Sequence, residues 1–235
     1  MEIKILRSGN GEYQTYNVEL EGATLLSLLN HIKTKIDPTL TYSHGCRSGV
    51  CGSCAVRVGG REVLMCEYKP SGGECIEPIR NARVIRDLVV EGSMVEKCNR
   101  AAHASGEKMD GSALSAGEME RITVQSDCIL CASCYSACPV YAVNPDFLGP
   151  FALTRVWRYV NDPREREVSA KMAAVQANGI WDCTLCGECV PVCPQGIAPK
   201  QDIMMLRTKA SMMGYQDPHA AAAFGGGLDF GGPMF

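Results

Sequence analysis

The stretch Cys128-Ile129-Leu130-Cys131-Ala132-Ser133-Cys134-Tyr135-Ser136-Ala137-Cys138-Pro139 sets four cysteines in the pattern C-x2-C-x2-C-x3-C-P. Cys183-Thr184-Leu185-Cys186-Gly187-Glu188-Cys189-Val190-Pro191-Val192-Cys193-Pro194 repeats it, offset by 55 residues. This is the ligand spacing of iron–sulfur cubes. Three closely spaced thiolates wrap three corners of one [4Fe–4S] cluster, while the fourth, followed by proline, starts the chain away and ligates the other cluster. Two such runs predict a two-cluster ferredoxin module. One cluster is expected on Cys128, Cys131, Cys134 and Cys193, the second on Cys183, Cys186, Cys189 and Cys138. The crossing ties both segments together, so loss of either cluster is expected to destabilise the whole module.

Upstream, Cys46, Cys51 and Cys54 follow the C-x4-C-x2-C loop spacing of a [2Fe–2S] site. Gly45, Gly49 and Gly52 let that loop bend tightly and aim N–H groups at sulfur. A fourth thiolate is required, and Gly59-Gly60 nominates it. A two-residue turn there pairs Val58 with Arg61, Val56 with Val63 and Cys54 with Met65, which folds Cys66 back beside Cys54 on a neighbouring strand. Zinc also takes four thiolates, but its usual paired C-x2-C knuckles fit the C-x4-C loop poorly. A Rieske site needs two histidines on one iron; His44 has no partner motif in His31, His103 or His219 and reads as a loop residue. Cys75 and Cys98 belong to no group and read as spare buried thiols.

The 14 cysteines in 235 residues could instead be disulfides. Disulfide scaffolds are secreted and usually small, whereas the chain opens directly on strand-like Glu2-Ile3-Lys4-Ile5-Leu6, a start that leads us to expect no export signal. Twelve of the cysteines also fall in three tight groups rather than being spread as staples. With 23 basic against 26 acidic residues there is no electrostatic footprint for nucleic acid or an anionic membrane, and no apolar run reaches the ~18 residues of a spanning helix. A cytoplasmic protein is expected, held at the inner face of the membrane, if at all, by partner subunits. No phosphate loop, nucleotide fingerprint or acid–base pair with a surrounding motif is present, so three clusters in a row are read as an electron wire.

An α+β organisation follows from the patterning. In residues 1–98, Ile3 and Ile5 alternate with charged residues, and Tyr16, Val18 and Leu20 do so after Gly9-Asn10-Gly11, predicting a hairpin. Thr24 is placed to cap a helix that buries Leu25, Leu28, Leu29, Ile32 and Ile36 and ends at Asp37-Pro38. Ala55–Val58 and Arg61–Met65 are expected strands. Cys98 to about Asp127 reads as a connector with one short helix, and residues 99–210 as a helical two-cluster domain with helices over Phe151–Val160 and Glu165–Asn178. Residues 211–235 form an Ala- and Gly-rich tail. Its composition reads as flexible; the alternative is docking of Phe224, Phe230, Met234 and Phe235 on a partner.

Further stretches resemble the iron–sulfur subunit of the succinate dehydrogenase/fumarate reductase family over roughly residues 1–205. They are the C-x4-C-G-x-C-x11-C site; Arg80-Asn81-Ala82-Arg83-Val84-Ile85-Arg86-Asp87-Leu88-Val89-Val90, similar to a segment ending in R-D-L-V-V; and Asn144-Pro145-Asp146-Phe147-Leu148-Gly149-Pro150, similar to N-P-x-F-x-G-P. Arg158-Tyr159, Asp162 and Asn178-Gly179-Ile180-Trp181 fall at familiar spacing. The resemblance implies an N-terminal β-grasp [2Fe–2S] ferredoxin-like domain and a FAD-bearing flavoprotein partner that performs the succinate–fumarate chemistry. It also implies that the [2Fe–2S] cluster is nearest the flavin and the cluster of Cys183 farthest away.

Two departures stand out. Most of the family has a non-ligating residue at Cys186 and a [3Fe–4S] far cluster; here a [4Fe–4S] cluster is expected, and with it a lower potential, because cluster type and charge set it. The family's quinone-pocket Trp and His positions hold Val143 and Thr184. Both resemble the branch of methylmenaquinol- and thiol-linked fumarate reductases, whose third subunit is similar to the cysteine-rich subunit of heterodisulfide reductases. The alternative is a ferredoxin-like adaptor of another oxidoreductase complex.

Overall fold

The computed structural model describes residues 1–20, 22–106 and 108–220. Alternation of Ile3 and Ile5 with charged neighbours makes β1 (Glu2–Leu6), which pairs antiparallel with β2 (Tyr13–Asn17), Ile3 opposite Tyr16. Thr24 caps α1 (Leu25–His31) by accepting the Ser27 N–H at 3.3 Å. The expected buried stripe stops early: Ile32–Ile36 widens into a π-helical turn, and Ile36 is exposed. A π turn needs more residues per revolution, so position 36 no longer lies above Ile32.

The Gly59-Gly60 turn joins β3 (Ala55–Val58) to β4 (Arg61–Leu64) in the expected register, Val58 opposite Arg61 and Val56 opposite Val63. A strand that the patterning did not single out, β5 (Glu74–Glu77), runs parallel to β1 and antiparallel to β3, completing the order β2-β1-β5-β3-β4. Cys75 stands opposite Lys4 on that strand and is half-buried rather than buried. The Arg80–Val90 segment forms β6 (Val84–Arg86) and β7 (Val89–Val90), with Asp87 between them. Ile3, Ile5, Leu28, Leu29, Val56 and Ile76 centre the first core; each such side chain contributes about 1.5–3 kcal/mol of burial.

The expected connector is more structured than its composition suggests. α2 (Ser93–Ala101) runs into it, and α3 (Ala116–Ser126) starts with a reciprocal capping box between Ser115 and Glu118. Cys98 and Ala102 pack into the second core with Phe147, Phe151, Leu153 and Leu206. α4 (Ser133–Ser136) lies inside the first cysteine repeat, followed by α5 (Pro150–Val160), α6 (Val168–Ala174) and α7 (Pro199–Met212). α6 is shorter than the expected Glu165–Asn178 helix. Glu165 accepts the Glu167 N–H in a turn ahead of it, and Asn178 has a positive φ of 51° after it. Residues 221–235, with the aromatics of the tail, lie outside the described residues. Among the described residues no helix is long and apolar enough to cross a membrane.

Candidate iron–sulfur centres

The first cysteine loop turns through left-handed residues at Arg47, Gly49 and Gly52, which directs successive N–H groups inward. The Gly49 N–H points at Cys66 Sγ (3.3 Å), that of Cys46 at Cys51 Sγ (3.3 Å) and that of Ser48 at Cys46 Sγ (3.4 Å). The β3–β4 hairpin brings Met65 N–H to the Cys54 carbonyl at 3.1 Å and Cys54 Sγ to 3.5 Å from Cys66 Sγ. The loop of Cys46, Cys51 and Cys54 therefore meets Cys66, which follows β4, but the four thiols are unequal. Cys54 and Cys66 are buried, whereas Cys46 and Cys51 are exposed. Burial pushes the Cys54 thiol up to about 12, while the Ser48 N–H and then Cys51 bring Cys46 down to about 6. His44 is exposed and rests against the Tyr42 ring.

The second group lines a small, partly open cavity, with Cys128, Cys131, Cys134 and Cys193 in its wall beside Phe151, Thr154, Ile197 and Pro199. Cys193, from the far end of the second repeat, thus sits with the first. Burial, then the neighbouring thiols of Cys131 and Cys128, hold the Cys134 thiol well above its usual range. Thiols so disposed ionise readily only beside a compensating cation, as cluster iron supplies.

The third group is the mirror case. Cys138 has Cys183 and Cys186 as electrostatic neighbours, and Cys189 has Cys183, Cys138 and Cys186. Burial raises Cys189 to about 12, partly offset by the Lys200 N–H. The two repeats share their local fold as well as their spacing: Leu130 and Leu185 both have φ of 55°, followed by left-handed Ala132 and Gly187. Arg207 clamps the second repeat through the carbonyls of Ile180 (2.7 Å) and Cys183 (2.6 Å). Cys186 and Thr184 are exposed, and Val143 is 83% exposed. Among the described residues no three His, Cys, Asp or Glu side chains converge on a point that one metal ion would occupy.

The first and second groups touch. A Cβ on Gly52 would lie 2.7 Å from Cys131 Cβ and 2.8 Å from its Cα, so only glycine lets these loops meet. Around that contact Gln195 Nε2 donates to the Gly49 carbonyl (3.1 Å), and Ser136 Oγ donates to buried Glu62 (2.7 Å). Asn81 Nδ2 donates to the carbonyls of Tyr135, Ser136 and Cys138. The cysteine spacing carries no trace of Glu62 or Ser136; Asn81 lies in the Arg80–Val90 segment. The other quoted stretches support the same centres. Gly149, at φ 86°, leaves room for the Tyr141 ring before α5, and Asp162 holds Arg158 and Arg164 at the end of α5.

Residues 3–97 match the family described as a 2Fe-2S iron-sulfur cluster binding domain, and residues 124–197 match the 4Fe-4S dicluster domain. The 8-methylmenaquinol:fumarate reductase iron-sulfur subunit of Wolinella succinogenes is 36% identical over 86% of this chain and 68% of its own length. The fumarate reductase iron-sulfur subunit of Mycobacterium tuberculosis is 36% identical over 85% of this chain and 86% of its own. A solved chain of the Mycobacterium smegmatis Sdh1 complex in the apo form superposes with a TM-score of 0.82 at 22% identity, covering 92% of this chain and 98% of that one. Its likeness supports the α+β fold of a [2Fe–2S] domain followed by a helical dicluster domain. The chain belongs to the iron–sulfur, electron-transfer subunits of the fumarate reductase/succinate dehydrogenase family, with one [2Fe–2S] cluster and a pair of [4Fe–4S] clusters as its cofactors.

Proposed function

We propose that this subunit connects a FAD-bearing flavoprotein, where succinate and fumarate interconvert, to a third subunit that oxidises a quinol or a thiol. Residues 1–98 hold the [2Fe–2S] cluster on Cys46, Cys51, Cys54 and Cys66. Residues 99–210 hold one [4Fe–4S] cluster on Cys128, Cys131, Cys134 and Cys193 and the other on Cys183, Cys186, Cys189 and Cys138. When bound, these clusters supply one-electron redox chemistry at potentials set by their type, hydrogen bonds and exposure. The chain's own residues do the positioning. Gly52 against Cys131 sets the first two sites in contact, and Cys193 and Cys138 lock the second and third together.

The observation that carries this reading is the sharing of one cavity wall by Cys193 and the Cys128 group. The rim at Cys46 and Cys51 is the face for the flavoprotein, and exposed Cys186, Thr184 and Val143 mark the face for the third subunit. Thr184 and Val143 in place of His and Trp favour a heterodisulfide-reductase-like, cysteine-rich subunit there. Those partners hold the complex at the inner face of the cytoplasmic membrane. The test is anaerobic purification through this subunit, with iron analysis and fumarate-dependent reoxidation of a reduced viologen. About ten iron atoms per chain, a co-purifying flavin and activity are expected. Full iron without flavin or activity would move the assignment to an adaptor of a different oxidoreductase.

A further inference from the structure

The buried acids among the described residues are Glu62, Asp87, Asp162, Glu165 and Asp202. Four of them face a cation: Glu62 with Arg57, Asp87 with Arg7, Asp162 with Arg158 and Arg164, Glu165 with Lys171. Asp202, on α7 and 3% exposed, forms no such pair. Its carboxylate accepts from Gln125 Nε2 on α3 at 2.9 Å and from Thr154 Oγ1 on α5 at 2.8 Å, both neutral donors. Thr154 is itself buried and lines the cavity of Cys128, Cys131, Cys134 and Cys193, as does Pro199, three residues before Asp202 on α7.

We propose that Asp202 is the proton acceptor coupled to the middle cluster, taking up one proton from water when one electron enters the Cys128–Cys193 cavity and releasing it when the electron leaves. The electron comes from and returns to the neighbouring centres of the relay, and no bond to iron changes. This rests on the ligand assignment above.

A carboxylate buried without a cation is destabilised when ionised; here burial outweighs the two hydrogen bonds and lifts Asp202 to about 6. Added negative charge in the cavity next to Thr154 raises its proton affinity further, and linkage makes the effect reciprocal: a proton on Asp202 favours reduction. Thr154 has one hydroxyl proton. It serves the ionised carboxylate; when Asp202 is protonated its own O–H donates to Thr154 Oγ, and the threonine proton is free to turn from the carboxyl. Half-buried Gln125 marks the side open to water.

Among the described residues no cation pairs with Asp202. On α5, Arg155 donates to the Ala104 carbonyl and lies within electrostatic reach of Cys128 on the cavity, while Arg158 pairs with Asp162. On α3, Glu118 is held by Ser115, while Glu120 and Arg121 are exposed. On α7, Arg207 is bound to carbonyls, Lys200 lies toward Gly187, and Lys209 makes no ion pair with Asp202. Beyond Thr154 the cavity presents the four thiols of Cys128, Cys131, Cys134 and Cys193.

The test is a spin-resonance redox titration of the middle cluster in the anaerobically purified complex between about pH 5.5 and 8.5. In the unmodified protein its midpoint should fall as pH rises, by up to tenfold in the reduction equilibrium per pH unit, or about 59 mV. Asp202→Asn, whose amide still accepts from Gln125 and donates to Thr154, should flatten that slope. Thr154→Val should move the sloping window to higher pH, because it removes a bond that favours the ionised form. A carboxylic acid C=O band should appear in the reduced-minus-oxidised infrared difference spectrum of the unmodified complex. A pH-independent midpoint with all cluster signals intact, or an unchanged slope in Asp202→Asn, overturns the proposal. If that variant fails to assemble, an unchanged window in Thr154→Val overturns it instead. Absence of the middle-cluster signal from the unmodified complex would refute the ligand assignment rather than the role of Asp202.

Discussion

The two cysteine repeats have the same spacing and the same left-handed leucine, yet they live in different surroundings. Ser133, Cys134, Tyr135 and Ser136 of the first are all buried, whereas Thr184, Cys186, Glu188 and Val190 of the second are exposed. The first is walled on one side by the N-terminal domain, through Gly52, Glu62 and Asn81, and on the other by α5 and α7. The second has the clamp of Arg207 on one side and an open face on the other. Spacing therefore decides which group is bound, and packing decides who can reach it. A walled site passes electrons only to its neighbours; a half-open one is available to a partner.

The most severe way to break the comparison is Cys193→Ser. If the repeats exchange their fourth thiols, this change in the second repeat should abolish the spectroscopic signal of the first repeat's cluster. Iron should fall by about four atoms per chain, and fumarate-dependent viologen oxidation should stop. Loss confined to the cluster of Cys183, with the other intact, would refute the crossing.

Gly52→Val comes next. The new side chain meets Cys131 backbone at van der Waals-forbidden distance and adopts φ of 72°, a region β-branched residues avoid. Overpacking and backbone strain together should cost about 2–5 kcal/mol, read as a lowered unfolding midpoint of the anaerobic subunit. In material that still folds, electron passage from the [2Fe–2S] site to the middle cluster should slow. A comparable change at exposed, unobstructed Gly111 should do neither.

Cys186→Val probes the open face and should be gentler. If Cys186 is the fourth ligand of the far site, the variant leaves three thiols there, so freshly prepared, mildly oxidised variant should show the near-isotropic signal of a [3Fe–4S] cluster. Stoichiometric appearance of that signal in anaerobic unmodified protein would show that Cys186 is not a ligand. Stability should change by less than about 1 kcal/mol from packing alone, since the side chain is exposed.

How much of this was legible follows the same division. The cysteine runs, the Gly59-Gly60 register and the Thr24 cap are local signals, and the structure contains that register and cap as read. What escaped was held by contacts distant in sequence. β5 is a four-residue strand whose place is fixed by β1 and β3 on either side, with only Ile76 fully buried. One short helix was expected in the connector, but the Ala, Ser and Gly composition obscured the place of α3, although Ser115 and Glu118 spell a capping box. The shared wall of the middle cavity depends on Thr154, Ile197 and Pro199, each unremarkable in its own stretch. Asp202 is similarly silent: an acid in the first turn of a helix is ordinary, and only packing shows that it has no cation.

The effect of acid concerns the support shared by both repeats. Asp162 ends α5, and the Arg164 hydrogen bond, ahead of Arg158, holds its carboxyl below the usual range. A carboxyl with a depressed folded pKa contributes stability above its unfolded value of about 3.9, and that contribution is lost as pH falls through the folded value. Because α5 backs the middle cavity and packs on α7, which carries the Cys183 clamp, acid should loosen both repeats together rather than the exposed one first. Below about pH 4, hydrogen exchange at the α5 amides should accelerate in parallel with those around Leu130 and Leu185. Asp162→Asn should weaken the protein by about 1–3 kcal/mol at neutral pH and remove most of that acid dependence. Protection lost around Leu185 alone, with Leu130 and α5 unchanged, would mean that the open site has its own foundation and that the contrast between the repeats extends to their stability.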